Sequence, residues 1–194
     1  MADPARKRAT YEDLLAVPDT MIAEIIDGEL YTQPRPALRH AMTSSVAGMD
    51  IGGPFHREGG GPHGPGGWWI LYEPELHLGQ DILVPDLAGW RRERMPVVPD
   101  APYFTLAPDW ACEVSSPGTA RRDRVEKMSI YAREKVTHVW LVDPAVRLVE
   151  VYRRDAVLWT RVGVYGDDDV ARMEPFEAVE IELKRWWLEA GERG

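Results

Sequence analysis

Two apolar runs near the middle of the chain each carry a single acid. Residues 82–90, ILVPDLAGW, hold Asp86 directly after Pro85, and residues 110–114, WACEV, hold Glu113 between Cys112 and Val114. An ionised carboxylate inside a buried strand is costly unless it is paired or binds a cation. On adjacent strands, two such acids could point into one pocket and hold a hard divalent ion through oxygen ligands. They could equally face solvent at strand ends or bond to backbone, and these residues alone leave both readings open.

The rest of the chain reads as a frame for those strands. Thr10 to Asp13 has the form of a capping box opening a short helix through about Leu15, closed by Pro18. Met21 to Ile26, the Asp27-Gly28 pair and Glu29 to Thr32 predict a hairpin, ended by Pro34 and Pro36. Leu38 to about Asp50 predicts a helix with Leu38, Met42, Ser45, Val46 and Met49 near one face. Residues 52–67, GGPFHREGGGPHGPGG, lack the Gly-Lys-Ser/Thr ending of a nucleotide loop and read as a flexible connection. His56 and His63 sit inside it without ligand partners at helical or strand spacing.

Trp68 to Leu78, Ile82 to Trp90, Trp110 to Val114 and Val139 to Val142 predict strands. Arg147 to Tyr152 and Val157 to Val164 suggest a hairpin turning near Arg154-Asp155, and Val179, Ile181 and Leu183 alternate before Trp186-Trp187. The order is that of an α/β domain: a mixed central sheet flanked by helices, with an N-terminal helix and hairpin and a C-terminal β extension. At 194 residues, with 44% apolar residues and no repeat or clear linker, the chain is expected to form one domain, with its core over about residues 10–187. Cys112 stands alone, which rules out an intramolecular disulfide framework. No run approaches the roughly 20 apolar residues of a membrane span, and MADPARKRATYEDLL has no signal-type apolar stretch, so a cytoplasmic address is the expectation. The net charge of −9 argues against a broad electrostatic grip on nucleic acid but not against a local basic strip.

A helix over about Thr119 to Lys135 follows the Glu113 strand within a few residues. Asp123, Lys127 and Tyr131, spaced i, i+4, i+8, form one stripe of it, and Val125, Met128 and Ala132 suit the core. Leaning over the strand end, the helix can deliver Lys127 to the carboxylates, where a lysine positions water and neutralises charge developing on a phosphate. The same spacing is also that of an ordinary exposed Asp–Lys pair.

The segments YEDLLAVPDT, AEIIDGELY, LVPDLAGW, WACEVSSPGTARRDRVEKMSIYAREKVTHVWLVDP and RLVEVYRR with VGVYGDDDV, in this order, resemble the Uma-type family of putative restriction endonucleases, within the PD-(D/E)XK nuclease superfamily. The resemblance runs from Tyr11 to about Trp187. It implies a restriction-endonuclease-like fold and a Mg²⁺- or Mn²⁺-dependent phosphodiesterase acting on nucleic acid, with DNA the expected substrate and no membrane partner. Asp86 would be the motif aspartate, Glu113 the motif acid and Lys127 the lysine, supplied by the helix; Ser115 stands where a simple Glu-x-Lys motif would place it. Asp86 and Glu113, with the Val114 carbonyl as a third oxygen, would hold the metal. Asp123 and Tyr131 would support them. Two departures are Ser115, where the family usually has Leu, and Ser116-Pro117-Gly118-Thr119 in place of Ser-Pro-Ser-Thr.

Glu24 lies in the AEIIDGELY segment, as either a further acid at the site edge or a hairpin-pairing residue. Glu73, Glu75 and His77 alternate along one face, with a solvated role expected, and Cys112, Trp90, Trp110 and Trp140 are expected in the core. The rival reading is a nuclease fold without useful turnover, acting as a binding or regulatory module in a homodimer or partner complex through the β extension and Trp186-Trp187.

Overall fold

The computed structural model describes residues 8–35, 37–59 and 64–187. Helix α1 (Tyr11–Leu15) begins on its capping box: the Thr10 hydroxyl accepts from the Asp13 amide at 3.3 Å, and the Asp13 carboxylate accepts from the Thr10 amide at 2.8 Å. Strands β1 (Met21–Ile26) and β2 (Glu29–Pro34) pair antiparallel across a two-residue turn with φ of 53° at Asp27 and 83° at Gly28. That turn twists with the strands it joins and favours an Asp-Gly pair.

Helix α2 (Leu38–Phe55) is longer than the sequence suggested and turns a different face inward. Thr43, Ala47, Gly48, Ile51 and Phe55 are buried, whereas Leu38, Met42 and Met49 are exposed. Small residues win the inner face because the helix lies close to β3 (Trp68–Tyr72): a Cβ on Gly48 would overlap the Tyr72 phenol. Residues 52–55, expected in a loop, are helical because Phe55 anchors the last turn against Phe176, ring centroids 4.7 Å apart. The returning chain is tied down as well, Gly66 donating to the Pro54 carbonyl at 3.0 Å and Gly67 to that of Arg57 at 2.8 Å. His63 lies outside the described residues.

The runs expected as single strands over 68–78 and 82–90 are each two strands in different sheets. β3 ends before Glu73, which has φ 43°, and β4 (Leu76–Leu78) follows; β5 (Asp81–Leu83) ends before Pro85, and β6 (Leu87–Arg91) follows. Proline has no amide proton for a ladder, so the chain leaves one sheet there and enters the other. The two crossings are bonded together, the Glu73 amide donating to the Asp86 carbonyl at 3.1 Å.

One sheet has the order β2-β1-β5-β4. The other adds β7 (Trp110–Val114), β8 (His138–Asp143), β9 (Leu148–Asp155) and β10 (Leu158–Gly166), in the order β10-β9-β8-β7-β6-β3. The β9–β10 turn falls at Ala156-Val157, two residues beyond the expected place. Among the described strands of this sheet only β7 and β8 pair parallel, and a parallel pair needs a crossover. That crossover is α3 (residues 120–133), which includes a π-helical turn at Asp123–Lys127. The result is the mixed α/β architecture that the sequence predicted. Among the described residues no helix is long and apolar enough to cross a membrane.

Alternation along β7 sends Cys112 and Val114 to one face and Ala111 and Glu113 to the other. The first face is covered by α2 and by the segment holding β11 (Val170–Ala171), β12 (Ile181–Glu182) and a 3₁₀ turn (Leu183–Trp186). Trp186 and Trp187 are buried there, their indoles donating to the Asp50 carboxylate at 2.9 Å and the Asp167 carbonyl at 2.7 Å. They cannot form the exposed pairing surface expected of them, because their rings complete the core. Phe176 sits at the centre, 4.9 Å from Trp68 and Trp110 and 5.6 Å from Trp140. Phe176→Ala is expected to cost about 3–5 kcal/mol in urea unfolding; a loss below about 1 kcal/mol would show that the C-terminal cover is not holding the sheet.

Candidate active site

The second face of the six-stranded sheet carries a buried polar cluster. Glu113 points from β7 towards α3, whose inner stripe is Asp123, Lys127 and Tyr131. The Glu113 carboxylate accepts from the Tyr131 hydroxyl at 2.5 Å through Oε1 and from the Lys127 ammonium at 2.9 Å through Oε2. Lys127 also reaches Glu24 of β1 at 2.8 Å and Asp123 at 3.7 Å. Glu24 is fixed in turn by the Val84 amide, 2.9 Å away. Glu24 is thus in the cluster and does not merely support the hairpin. The stripe falls together as its spacing suggested, but Val125, expected inward, is exposed.

Asp86 stands in the Val84-Pro85-Asp86 crossing, not within a strand. Its Oδ2 accepts from the Val114 amide at 2.7 Å, and its Oδ1 lies 3.0 Å from His40 Nε2. Asp86, Glu113, Val114, Asp123, Lys127 and His40 line one cavity of about 500 Å³, together with Glu73 and the loop from Ser116 to Thr119. Arg122 lies at its rim with its guanidinium over the Tyr31 ring, 4.1 Å from the centroid. His40 was not visible as a site residue in the sequence. It is a lone imidazole in the first turn of α2, and only the fold brings it to Asp86.

Burial shapes the titration of the cluster. Burial pushes Glu113 well above the ordinary carboxylate range; Lys127 pulls it back, and Asp123, Glu24 and Asp86 push it further. For Lys127, burial pulls the pKa down, but Glu113, Glu24 and Asp123 outweigh it and hold the ammonium well above its ordinary value. Tyr131 is raised well above its ordinary value by burial and then by Glu113, so it remains a phenol and a donor. Asp123 is raised by burial against the pull of Lys127. Burial lowers His40, but the bonds to Asp86 and to the Val114 backbone prevail and raise it.

Among the described residues no three His, Cys, Asp or Glu side chains stand close enough together to hold a metal ion by themselves. The acids lining the cavity, Glu73, Asp86, Glu113 and Asp123, nevertheless carry oxygens of the kind a hard divalent cation takes. The other candidates have structural partners. His56 sets Nδ1 against Ile70, 3.0 Å from its amide and 2.8 Å from its carbonyl, where it accepts from the first or donates to the second, and His77 pairs with Glu75 at 2.7 Å while stacked on Tyr103. Cys112, Trp90, Trp110 and Trp140 are core residues.

A mixed sheet crossed by one helix over paired acids and a lysine is a nuclease-like arrangement, and the comparisons agree in fold. The chain is similar to the crystal structure of a "putative nuclease belonging to DUF820" from Anabaena variabilis ATCC 29413, with a TM-score of 0.72 and 22% identity over 92% of this chain and 97% of that one. Residues 8–184 match the model of the Uma2 family, described as "putative restriction endonuclease", and the chain belongs to that family. No curated protein matches it.

The raised Glu113 pKa fixes the sign of a stability effect. The folded chain holds this proton more tightly than the unfolded one. The stability it contributes is therefore fully present below the ordinary value of 4.5 and lost as pH rises through the folded value. In EDTA at neutral pH, Glu113→Gln should be more stable than the parent by about 1–2 kcal/mol, with the gap closing as pH falls to about 4. Thermal unfolding across that range checks it; a gap independent of pH would mean that Glu113 is not the group bearing the cost.

Proposed function

We propose that the protein is a divalent-metal-dependent endonuclease that hydrolyses phosphodiester bonds, with DNA as its substrate. The observation that carries this reading is the convergence of Asp86, Glu113 and Lys127 on one cavity from three separate elements. Asp86, Glu113 and the Val114 carbonyl would hold Mg²⁺ or Mn²⁺. The ion would supply Lewis acidity, which makes water more acidic and offsets charge on the phosphate.

The side chains divide the remaining work. Lys127 keeps its proton, so it acts as a cation and not as a base: it orients the attacking water and offsets negative charge as the phosphorus–oxygen bond to the leaving group breaks. Tyr131 and Asp123 hold Glu113 and Lys127 in register, and Glu24 shares the ammonium so that it is not bound to Glu113 alone. One pocket cuts one strand, so cleavage of both strands of a duplex asks for two copies of the chain.

A second reading has its own support: Lys127 is fully engaged by three carboxylates, the state expected of a binding module that keeps the nuclease fold without turnover. Cleavage of a panel of linear, supercoiled, branched and single-stranded substrates in Mn²⁺ or EDTA separates the two. The parent should cut only with metal, and Asp86→Ala and Glu113→Ala should lose at least about 10³-fold. Lys127→Met should lose about 10²-fold or more while still binding Mn²⁺. Cutting by Glu113→Ala at the parent rate would overturn the site; no cutting by any protein would favour the binding module.

A further inference from the structure

The groups given the chemistry lie deep. The side chains of Glu113 and Lys127 are each 3% exposed, and that of Asp86 is 13% exposed. The β1–β2 hairpin covers them. Ile22 pairs with Gln33 and Glu24 with Tyr31; opposite partners in an antiparallel ladder share a face, as do residues two apart. That face looks onto α3: Glu24 reaches Lys127, Tyr31 carries the Arg122 guanidinium, and Ile22 and Gln33 line the cavity. Reaction at phosphorus needs the reacting atoms about 3–3.5 Å apart, so the phosphate itself has to enter. A DNA duplex is stiff over about 150 base pairs and carries its second strand beside the first. Its backbone cannot fold into a recess of about 500 Å³, a size that suits a ligand of nucleotide scale. Enzymes that react inside such a pocket take a single strand or must first unpair one, at a cost of a few kcal/mol.

The lining carries the chemistry of a strand. Arg35 and Arg122 line the cavity and form no ion pair among the described residues; Arg35 donates to the Asp19 carbonyl at 3.2 Å. A guanidinium fork matches a phosphate. Gln33 Oε1 is buried and has no hydrogen-bond partner, a rare state for an amide oxygen. The amino and ring N–H groups of a nucleobase are donors, and they lie fully open only when the base is unpaired. The net charge of −9 points the same way, since a grip on duplex uses many phosphate contacts and two arginines serve a short stretch of one strand. We propose that the cavity binds one unpaired strand of DNA, with Arg35 and Arg122 on its phosphates and Gln33 on a base, so that single strands, overhangs and flaps are cut in preference to intact duplex. This rests on the endonuclease reading above.

The test presents one labelled sequence in Mn²⁺ as a single strand, as a full duplex and as a duplex with a central unpaired bubble. The parent should cut the single strand and the bubble at least about 30-fold faster than the duplex, with bubble cuts confined to the unpaired stretch. Arg35→Ala combined with Arg122→Ala should raise KM for the single strand about 10-fold or more, with kcat within about 3-fold. Fluorescence anisotropy in EDTA reads binding without turnover. The parent should hold the single strand with a logarithmic salt slope of about −1.4, for two phosphates, and the double variant should lose that slope. The parent should also prefer this strand to an abasic one of the same length by about 5-fold or more, and Gln33→Leu should not. Thermal melts show that the variants fold. Duplex cut as fast as the single strand would overturn the strand preference and leave the endonuclease reading standing. An unchanged KM and salt slope in the double variant would overturn the part given to the arginines, and an unchanged abasic preference in Gln33→Leu that given to the base contact. If nothing is cut, tighter binding of the single strand than of the duplex would keep the preference while the endonuclease reading falls. Equal binding of the two, or none, would then overturn both.

Discussion

A lysine ammonium cannot be taken out of water alone, and the arrangement of this molecule follows from how Lys127 is compensated. Its side chain is only 3% exposed. Its three partners come from different places: Glu24 from the four-stranded sheet, Glu113 from the six-stranded sheet and Asp123 from its own helix. One buried charge therefore ties two sheets and a crossover helix together. The cluster also holds three acids against one base. This imbalance costs stability. The cost is concentrated on Glu113, which burial and its acidic neighbours push towards the neutral form.

The second ingredient is the pair of crossings at residues 73–75 and 84–86. Each breaks an apolar run and moves it from one sheet to the other, and the two are bonded to each other. Asp86 is held at this seam by the Val114 amide, so the acid is fixed to β7 without belonging to a strand itself. A strand residue could offer its side chain to only one of two faces, set by alternation. A seam residue escapes that parity, and its carboxylate can face α2 and β7 together.

Features of the sequence that depend on neighbours a few residues away were readable. The Thr10 and Asp13 capping pair, the Asp27-Gly28 turn and the Asp123, Lys127, Tyr131 stripe follow from local geometry and repeat spacing. Membership of the Uma2 family was readable as well, because its motifs are long and keep their order. What failed depends on who packs against whom. Leu38, Met42 and Met49 share one apolar face of α2, yet that face is not the inner one, because closeness to Tyr72 selects small residues such as Gly48 and Ala47. Pro85 was visible, yet the apolar pattern continues across it and disguised the change of sheet. Glu24 and His40 reach the site across 89 and 46 positions of chain, from Glu113 and Asp86 respectively. No periodicity encodes those distances.

The face of the six-stranded sheet opposite the cavity is completed by Ala171, Met173, Phe176, Ile181, Leu183, Trp186 and Trp187, all from the segment that follows the last long strand. Chains are made from the N-terminus and their domains fold as units. The ribosome thus releases every proposed site residue, from Glu24 to Tyr131, well before the segment that seals the tryptophans of β3, β7 and β8 from water. Until that segment docks, those tryptophans lack part of their cover, so the two faces of one sheet are completed by different stretches of the chain.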